Sequence, residues 1–315
     1  MWIALACGSA LFAGLTSVLA KQGVRTTDST LATALRTPVI LIGAWAVAWL
    51  SGSVHELGHV SARSIVFLIL SGLATGASWL CFFRALQLGQ VSKVVPVDKT
   101  STVLTVLLAV LVLGERPTPV GWLGLLGIAV GTVLMLDADD VRALVRPGKS
   151  QGASEDGRPG SGAWLVYALG SAFFAALTAI LGKIGITDVP SDLGTAVRTG
   201  VILVMAWGMV AVRARATRTA AGGGGENLRA PGGPLGIVPG ELGWILASAV
   251  ATCASWLCYF AALQGGPASA VVPIDKLSVL VTVAFSALVQ GERPGCRAVA
   301  GLVLLTAGTV LVAVV

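Results

Sequence analysis

The sequence contains an internal repeat, and this repeat limits how the chain folds more than any other feature. Residues 77–117 and residues 254–294 align without a gap, and 25 of the 41 aligned positions are identical. Residues 2–41 align in the same way with residues 164–203, with 21 of 40 positions identical. Self-similarity at this level predicts that the two parts of the chain adopt the same local structure.

The alignment offsets divide the chain into two repeats. The offset is 162 residues for the N-terminal pair of segments and 177 for the other pair, so the second repeat contains 15 additional residues. These fall in the stretch 213–240, which is rich in Gly, Arg and Pro and is expected to form a flexible loop. We predict a first repeat, a polar linker and a second repeat, which comprise residues 1–136, 137–162 and 163–315.

The composition of both repeats is that of a membrane protein. Hydrophobic residues make up 55% of the chain and charged residues only 11%, with a mean hydropathy of +0.87, whereas soluble domains contain about 25% charged residues. Apolar runs of about 18 residues or more are typical of transmembrane helices. We therefore expect an all-α integral membrane protein with ten transmembrane helices, five in each repeat. The expected spans are about 2–20, 34–50, 64–88, 91–113, 118–136, 163–182, 193–212, 241–264, 268–290 and 295–315.

Several classes of protein are disfavoured by the sequence. The five cysteines lie in or beside apolar runs without metal-ligand spacing, so we expect neither a disulfide framework nor a metal site. The net charge of +6 comes from basic residues spread over loops, without the basic and aromatic patch typical of nucleic-acid binding. No nucleophile elbow, phosphate loop or histidine within a span is present, so we expect no catalytic residues, no cofactor and no enzymatic activity.

The five spans expected in each repeat have a consequence for topology. Because five is odd, the second repeat enters the membrane in the opposite direction, which gives an inverted repeat with a pseudo-two-fold axis in the membrane plane. Proteins of this architecture are commonly carriers that hold a substrate near the membrane midplane, where the repeats meet. The loops opposite the termini hold most of the basic residues, chiefly in 137–162 and 213–240, so the positive-inside rule places both termini outside the cytosol.

Each copy of the 41-residue segment places an acid beside a base within an apolar run, as Asp98-Lys99 and Asp275-Lys276. A charge at the centre of a span costs about 2.5–3.5 kcal/mol on insertion scales, so such residues usually serve a function. Residues at i, i+3 and i+7 share a helical face, and each acid shares its face with two hydroxyl side chains. The residues on the two faces are Asp98, Ser101 and Thr105, and Asp275, Ser278 and Thr282.

We expect these two faces to line a central aqueous cavity, where each repeat supplies one anionic and one cationic contact to a substrate. In an alternative arrangement, the acids and bases form salt bridges that lock the repeats together, while the hydroxyl groups bond to their own backbone. In a third arrangement, the charged groups extend to the membrane surface. Pro96 and Pro273 precede the acids by two residues, and each either kinks its helix as a hinge or begins it.

Aromatic side chains in the third span of each repeat are further candidates for the substrate site. Trp79 and Phe83 match Trp256 and Phe260, and Tyr259 lies next to Phe260. This wall would receive a cationic or flat apolar substrate through cation–π contact. In the alternative interpretation, the same rings only pack against lipid and neighbouring helices.

Several polar residues near the span ends are weaker candidates. Arg84 aligns with Ala261, so it would either contact an asymmetric substrate or anchor its span at the membrane surface. Gln87 and Gln264 match and are candidates for gating or hydrogen bonding. Four matched basic residues at the ends of the first two spans would attract anions at a cavity mouth, although anchoring at the interface suits their position better. These are Lys21, Lys183, Arg36 and Arg198.

The motifs described above resemble those of a known family. The segments SWLCFFRALQLGQVSKVVPVDKTS and SWLCYFAALQGGPASAVVPIDKLS, each followed by GERP and a Gly-rich last span, resemble the drug/metabolite transporter superfamily in its two-repeat EamA form. The resemblance covers nearly the whole chain and implies a ten-helix carrier of the bacterial cytoplasmic membrane. It also implies a central cavity between the first, third and fourth helices of each repeat. It further implies termini in the cytosol, which conflicts with the positive-inside rule.

Together these observations predict a secondary transporter that moves a small metabolite or drug by alternating access, as a monomer or homodimer, with proton coupling left open. In this hypothesis Asp98 and Asp275 respond to protons or cations, while Lys99 and Lys276 bind an anionic group or hold the acids in place. One alternative is a flippase for lipid-linked glycans or other lipids. Another is a non-transporting component of a membrane assembly whose glycine faces bind a partner. Those glycines are Gly124, Gly127, Gly131, Gly301 and Gly308.

Overall fold

The structure of the chain is a computed structural model that describes residues 1–23, 27, 29–88, 97–98, 100–134, 163–220, 239–282, 284 and 295–314. The described residues form helices joined by short connections and contain no β-strand. The α-helices, numbered in chain order, are α1 Trp2–Gly23, α2 Ser29–Leu50, α3 Ala62–Leu88, α4 Ser101–Leu113, α5 Pro119–Leu134, α6 Ala163–Gly185, α7 Ser191–Ala220, α8 Pro239–Gly265, α9 Ala268–Lys276 and α10 Cys296–Val314. A 3-10 helix, Ser53–His59, connects α2 to α3.

Six of the described helices, α1, α2, α3, α6, α7 and α8, are long and apolar enough to cross a membrane. Three shorter described helices, α4, α5 and α10, contain apolar stretches as well. Large apolar side chains such as Trp49, Leu111 and Val204 are exposed on the outer surface, as expected where helices face lipid instead of water and satisfy their own backbone groups. The chain is therefore an all-α, multi-pass membrane protein.

The helices pack mainly between the two repeats. The first helix of each repeat contacts the third helix of the other, in the pairs α1–α8 and α6–α3. The second helices contact each other in the pair α2–α7, and the last helices do so in the pair α5–α10. α4 contacts α6, and α9 contacts α1. The centre of the molecule is consequently built from both repeats.

In two pairs of matching helices, opposite helix ends lie close together. Lys183, near the end of α6, donates a hydrogen bond from Nζ to the Gly266 carbonyl at 2.5 Å. The ring of Trp2, at the start of α1, lies beside the same glycine, 2.7 Å from the position that a Cβ atom would take. Ser53, after the end of α2, donates to Asp192 at the start of α7 at 2.9 Å. The start of α1 therefore lies near the end of α6, and the end of α2 lies near the start of α7.

Glycines allow the last helices of the repeats to approach closely. A Cβ atom on Gly124 would lie 2.6 Å from the Gly308 carbonyl oxygen, and one on Gly131 would lie 2.6 Å from the Gly301 carbonyl oxygen. One on Gly127 would lie 3.3 Å from Gly308. Small residues of this kind commonly allow membrane helices to pack closely. Because the contact forms between α5 and α10 of one chain, these glycines are already covered and do not offer a surface to a partner.

The fourth helix of each repeat is interrupted beside its acid–base pair. In the second repeat, α9 ends at Lys276, a turn follows at Leu277, and the helix resumes at Ser278. In the first repeat, Asp98 is helical and a turn at Thr100 precedes α4. Each expected fourth span therefore contains a break just after its acid–base pair. Hydrogen bonds to the third residue back, such as the Leu277 N–H to the Ile274 carbonyl at 3.0 Å, tighten the backbone into a 3-10 turn.

Of the two candidate hinge residues, Pro273 lies inside α9. Proline has no N–H, so Pro273 cannot bind the carbonyl of Ser269 one turn earlier, which weakens the helix there. The interruption at Leu277 follows Pro273 by four residues, which is about one helical turn. Pro96 lies outside the described residues.

Helix α7 extends further than the sequence predicted. It reaches Ala220, so residues 213–220 are helical although they were expected to begin a flexible loop. Their sequence, RARATRTA, is rich in Ala and Arg, which both favour helix. Residues 221–238 and the linker 137–162 lie outside the described part of the chain.

Candidate functional site

A cavity of about 250 Å³ lies between the two repeats. Helices α1, α3, α6, α7, α8 and α9 all line it. Residues from both repeats meet there because the first helix of each repeat packs along the third helix of the other. Within the described chain, the charged residues of the lining are Arg198, Asp275 and Lys276, and the aromatic ones are Trp79, Trp256, Tyr259 and Phe260.

The Asp275 carboxylate is held by a serine of the other repeat. Ser9 in α1 donates from Oγ to Asp275 Oδ1 at 2.5 Å. Ser255 in α8 donates in turn to the Ser9 carbonyl at 3.1 Å. Asp275 forms no salt bridge with any residue that the structure describes, and among those residues this serine contact links the acid to the first repeat.

The same arrangement recurs around Asp98 with the repeats exchanged. Ser171 in α6 donates from Oγ to Asp98 Oδ1 at 2.7 Å, and Ser78 in α3 donates to the Ser171 carbonyl at 3.0 Å. Ser171 and Ser78 match Ser9 and Ser255 in the repeat alignment. Each acid is therefore bound by the first helix of the other repeat. Asp98 is not part of the lining of the cavity that contains Asp275.

Arg198 is buried in the cavity wall, and only 1% of its surface is exposed. It donates from Nε to Ser71 Oγ and from Nη2 to Thr75 Oγ1, both at 3.0 Å. Its guanidinium carbon lies 4.1 Å from the ring centroid of Phe260 and 5.6 Å from that of Trp256. Nη1 is buried and has no hydrogen-bond partner among the described residues. The interface-anchor interpretation of Arg198 is therefore wrong.

The matching residue Arg36 lies beside a second cavity of about 390 Å³. Its Nη2 donates to Thr252 Oγ1, the counterpart of the threonine that Arg198 binds. Trp79 and Trp256 line both this cavity and the one that contains Asp275. Their ring centroids are 6.4 Å apart, with the planes tilted by 32°. The tryptophan pair thus forms a wall that the two cavities share.

Comparison with known proteins identifies the family. The sequence model of the EamA-like transporter family matches this chain over residues 1–137 and 162–314. The chain belongs to the EamA-like transporter family. The resemblance noted in the sequence is therefore confirmed, and the protein is a multi-pass membrane transporter.

Two relatives of this EamA-like transporter add to the comparison. A protein described as "Uncharacterized transporter in cobO 3'region", from Sinorhizobium sp, is 46% identical over 134 residues, which are 42% of this chain and 95% of the relative. A solved structure titled "Crystal structure of protein" matches with a TM-score of 0.67 at 17% identity, over 98% of this chain and 94% of that chain. The second comparison shows the fold alone.

The hydroxyl residues predicted to share a face with the acids lie elsewhere in this EamA-like transporter. Ser101 and Thr105 are buried, with exposures of 2% and 1%, and neither lines the cavity beside Asp275. Thr105 donates to the Ser101 carbonyl at 2.7 Å, and Thr282 donates to the Ser278 carbonyl at 3.0 Å. A turn separates each acid from its first serine, and the shared face stays a prediction. Both threonines donate to the backbone of their own helix, as in the alternative arrangement of the hydroxyl groups.

The remaining candidates are divided between the cavity and other places. Gln264 accepts a hydrogen bond from the Ser191 N–H at 3.2 Å and donates to the Ile186 and Val189 carbonyls at 3.3 and 3.0 Å. It therefore ties α8 to the connection between α6 and α7, away from the cavity lining. Arg84 is exposed and does not line the cavity. Lys99 and the side chains of Phe83 and Gln87 lie outside the described part of the chain.

Glu115, from the first GERP segment, performs a role that the sequence reasoning missed. Its carboxylate accepts hydrogen bonds from the backbone N–H groups of Ala268 and Ser269 at 2.8 and 2.9 Å. It also forms a salt bridge with Lys183 Nζ at 3.5 Å. Glu115 of the first repeat therefore caps α9 of the second, and α9 carries Asp275 and Lys276. The signal in the sequence was the occurrence of GERP in both copies, together with the matched lysine.

Proposed function

We propose that this EamA-like transporter is a secondary carrier that moves a small metabolite across the cytoplasmic membrane by alternating access. The observation that supports this most directly is the cavity between the repeats, which places Arg198, Asp275 and Lys276 among apolar helices. Charged groups at such a depth are costly and commonly mark the path of a substrate or ion. In this proposal the protein binds and releases its substrate without covalent chemistry.

We further propose that the carrier has ten spans, arranged as two inverted repeats over 1–136 and 163–315. The reciprocal pairs α1–α8 and α6–α3 support this arrangement, as do the contacts between opposite ends of matching helices. Carriers built from inverted repeats bind substrate where the repeats meet and expose it by moving one unit against the other. A bound substrate shifts the balance between the two states by its difference in affinity for them.

The size of the cavity favours a metabolite over a larger drug. Its volume of about 250 Å³ lies below the roughly 300–1,000 Å³ of sites that hold drug-sized ligands. Small polar residues such as Ser78, Thr178 and Ser255 contribute to its lining. We therefore propose a small, polar substrate.

We also propose that Asp275 takes up a proton in one of the two states. Its carboxylate lines the cavity and accepts a hydrogen bond from Ser9 of the other repeat at 2.5 Å. Protonation would change both the charge of the cavity and this contact between the repeats. Proton binding and substrate binding would then influence each other, as linkage requires. Asp98 would act in the same way through Ser171.

The carrier proposal is tested by flux into proteoliposomes that contain a pH-sensitive dye. The vesicles are challenged in turn with pools of amino acids, sugars, organic acids and amines. We expect saturable proton movement with one pool and a loss of about tenfold or more in Asp275→Asn, because a charged hydrogen-bonding group is removed. Asp188→Asn is the matched control, since Asp188 is exposed in the turn after α6.

One outcome would contradict the proposed proton uptake by Asp275, and another would contradict the carrier function itself. The first is full flux in Asp275→Asn, which would remove this carboxylate from the coupling mechanism. The other is silence with every pool and with labelled substrates in counterflow, from protein shown to be folded. Movement of labelled lipid between leaflets by the same vesicles would then favour the flippase.

A further inference from the structure

Among the residues that the structure describes, the charges lining the cavity beside Asp275 do not balance. Two cationic side chains, Arg198 and Lys276, face one carboxylate, Asp275. The Asp275 oxygen is already bound by Ser9, and neither cation forms a salt bridge with it. A buried charge without a counter-charge is costly. A ligand with one negative charge would neutralise the cavity.

Arg198 is positioned to bind such a ligand. Ser71 and Thr75 fix the orientation of its guanidinium group through Nε and Nη2. Its remaining terminal nitrogen, Nη1, is buried and has no hydrogen-bond partner among the described residues. A buried donor without a partner is rare in proteins. Because a guanidinium group presents donors in a planar fork, it matches the two oxygens of a carboxylate better than a single acceptor.

Lys276 offers a second donor to the same ligand. Its side chain lines the cavity, and it makes no hydrogen bond or ion pair with any residue that the structure describes. It precedes the turn at Leu277, at the end of α9. The two cations reach the cavity from α7 and α9, so an anion between them would connect two helices of the second repeat.

The aromatic residues argue against a cationic ligand at this position. The faces of Phe260 and Trp256 are the natural site for an organic cation. In this structure the Arg198 guanidinium already occupies that site, 4.1 Å from the Phe260 centroid and 5.6 Å from the Trp256 centroid. An amine would therefore meet a positive charge at the position where the sequence suggested that it would bind.

We infer that Arg198 and Lys276 recognise a carboxylate group on the transported substrate, which is a small organic monoanion. This inference rests on the proposed carrier function, because it names the substrate class of the same cavity. Arg198 binds the carboxylate through Nη1, and Lys276 binds it from the opposite helix. Asp275 contributes the negative charge that a proton would cancel.

The inference is tested by ligand binding to the purified full-length protein in detergent. The probes are a panel of monocarboxylates of two to ten carbons, which includes phenylacetate, together with phenylacetamide and phenethylamine as neutral and cationic counterparts. Thermal unfolding reports stabilisation by bound ligand. We expect at least one carboxylate to stabilise the protein, whereas the amide and the amine do not.

Four variants identify the residues responsible. We expect Arg198→Gln and Lys276→Gln to weaken carboxylate binding by about tenfold or more, because each loses a charge-assisted hydrogen bond. Lys276→Gln remains informative if Arg198→Gln fails to fold, since Lys276 has no partner in the described chain. Asp275→Asn should bind the carboxylate more tightly, because it removes a like charge. Arg63→Gln is the control, as Arg63 is exposed at the start of α3.

The outcomes separate the two proposals. Stabilisation by no member of the carboxylate panel, or equal stabilisation of wild type and both Gln variants, overturns the carboxylate site. If an amine or sugar drives flux in proteoliposomes and carboxylates do not, the carrier function stands and the substrate class is wrong. If carboxylates bind through Arg198 but no compound is transported, the binding site stands and the carrier function fails.

Discussion

Arg198 and Arg36 occupy matching positions, but their guanidinium groups are held differently. Ser71 accepts a hydrogen bond from Arg198 Nε at 3.0 Å, whereas Arg36 Nε is buried without a partner among the described residues. The serine that matches Ser71 is Ser248, which donates to the Ile245 carbonyl at 2.7 Å. One serine hydroxyl thus distinguishes the two halves of an otherwise symmetric arrangement.

This difference predicts unequal effects of two matching substitutions. Ser71→Ala should lower the free energy of unfolding by about 1.5–3 kcal/mol, because it removes a buried hydrogen bond to a charged group. Ser248→Ala removes only a bond to its own helix and should cost about 1 kcal/mol or less. Unfolding of both variants in the same detergent provides the comparison. Equal losses would mean that the two arginines are held alike.

The sequence predicted part of the site at this scale. Asp275 and Lys276 were recognised because charges within an apolar run are expensive. Arg198 was assigned to the membrane surface because hydropathy placed the start of its span at about residue 193. Helix α7 in fact begins at Ser191, which places Arg198 seven residues, or about 10 Å, into the helix. Its burial depends on Ser71 and Thr75 from the other repeat, which no local pattern reveals.

At the scale of the helix, α9 is the element on which the site depends most. It has nine residues and ends with Asp275 and Lys276. The first N–H groups of a helix have no partner within the helix and carry a partial positive charge. The Glu115 carboxylate binds two of them, at 2.8 and 2.9 Å. The first repeat therefore controls the position of the charged residues of the second.

We expect Glu115→Ala to lower the free energy of unfolding by about 1–2 kcal/mol, as the loss of a helix cap does. It should also weaken ligand binding, because α9 positions Lys276. Glu115→Gln keeps an acceptor but loses the charge and should have a smaller effect. The control is Arg116→Ala, since Arg116 is exposed in the same segment. Thermal unfolding of the three variants measures the effect, and an unchanged melting temperature in Glu115→Ala would show that the cap is unimportant.

The helices themselves were largely predictable, but their interruptions were not. Runs of apolar residues indicated helices such as α3 and α8 because a span needs about 20 apolar residues. The breaks at Thr100 and Leu277 depend on the choice between hydrogen bonds to the third and fourth residues back. That choice involves small differences in energy, so hydropathy does not detect it.

At the scale of the whole molecule, contacts between the repeats are found at both ends of the bundle. At one end, Trp2 lies beside Gly266, and Glu115 forms a salt bridge with Lys183 at 3.5 Å. At the other end, Glu241 at the start of α8 accepts hydrogen bonds from the Thr27 N–H and hydroxyl at 2.9 and 2.6 Å. In the proposed alternating-access cycle, one set of contacts breaks when the protein opens on that side, so the two ends would correspond to the two sides of the membrane.

The orientation of these ends is open to direct measurement. Cysteines introduced at Gly58 and Gly240 would lie at opposite ends, and a Cβ atom at either position meets no neighbour within 4 Å. We expect a membrane-impermeant maleimide to label only one of them in intact cells and both after permeabilisation. The native cysteines are replaced for this experiment.

Labelling of Gly240→Cys alone would agree with termini in the cytosol. Labelling of Gly58→Cys alone would agree with the positive-inside rule. Labelling of both in intact cells would contradict an odd number of spans per repeat.

The wall shared by the two cavities has a consequence for electrical insulation. A membrane that stores energy as a voltage tolerates a carrier only if ions do not leak through it between transport cycles. Here Trp79 and Trp256 line both cavities, with ring centroids 6.4 Å apart, so the two indole rings contribute to the barrier at this level. Smaller side chains at both positions would weaken the separation of the cavities, and we expect ions to leak more readily. Such a protein would still bind its ligand, but it would discharge the membrane that it serves.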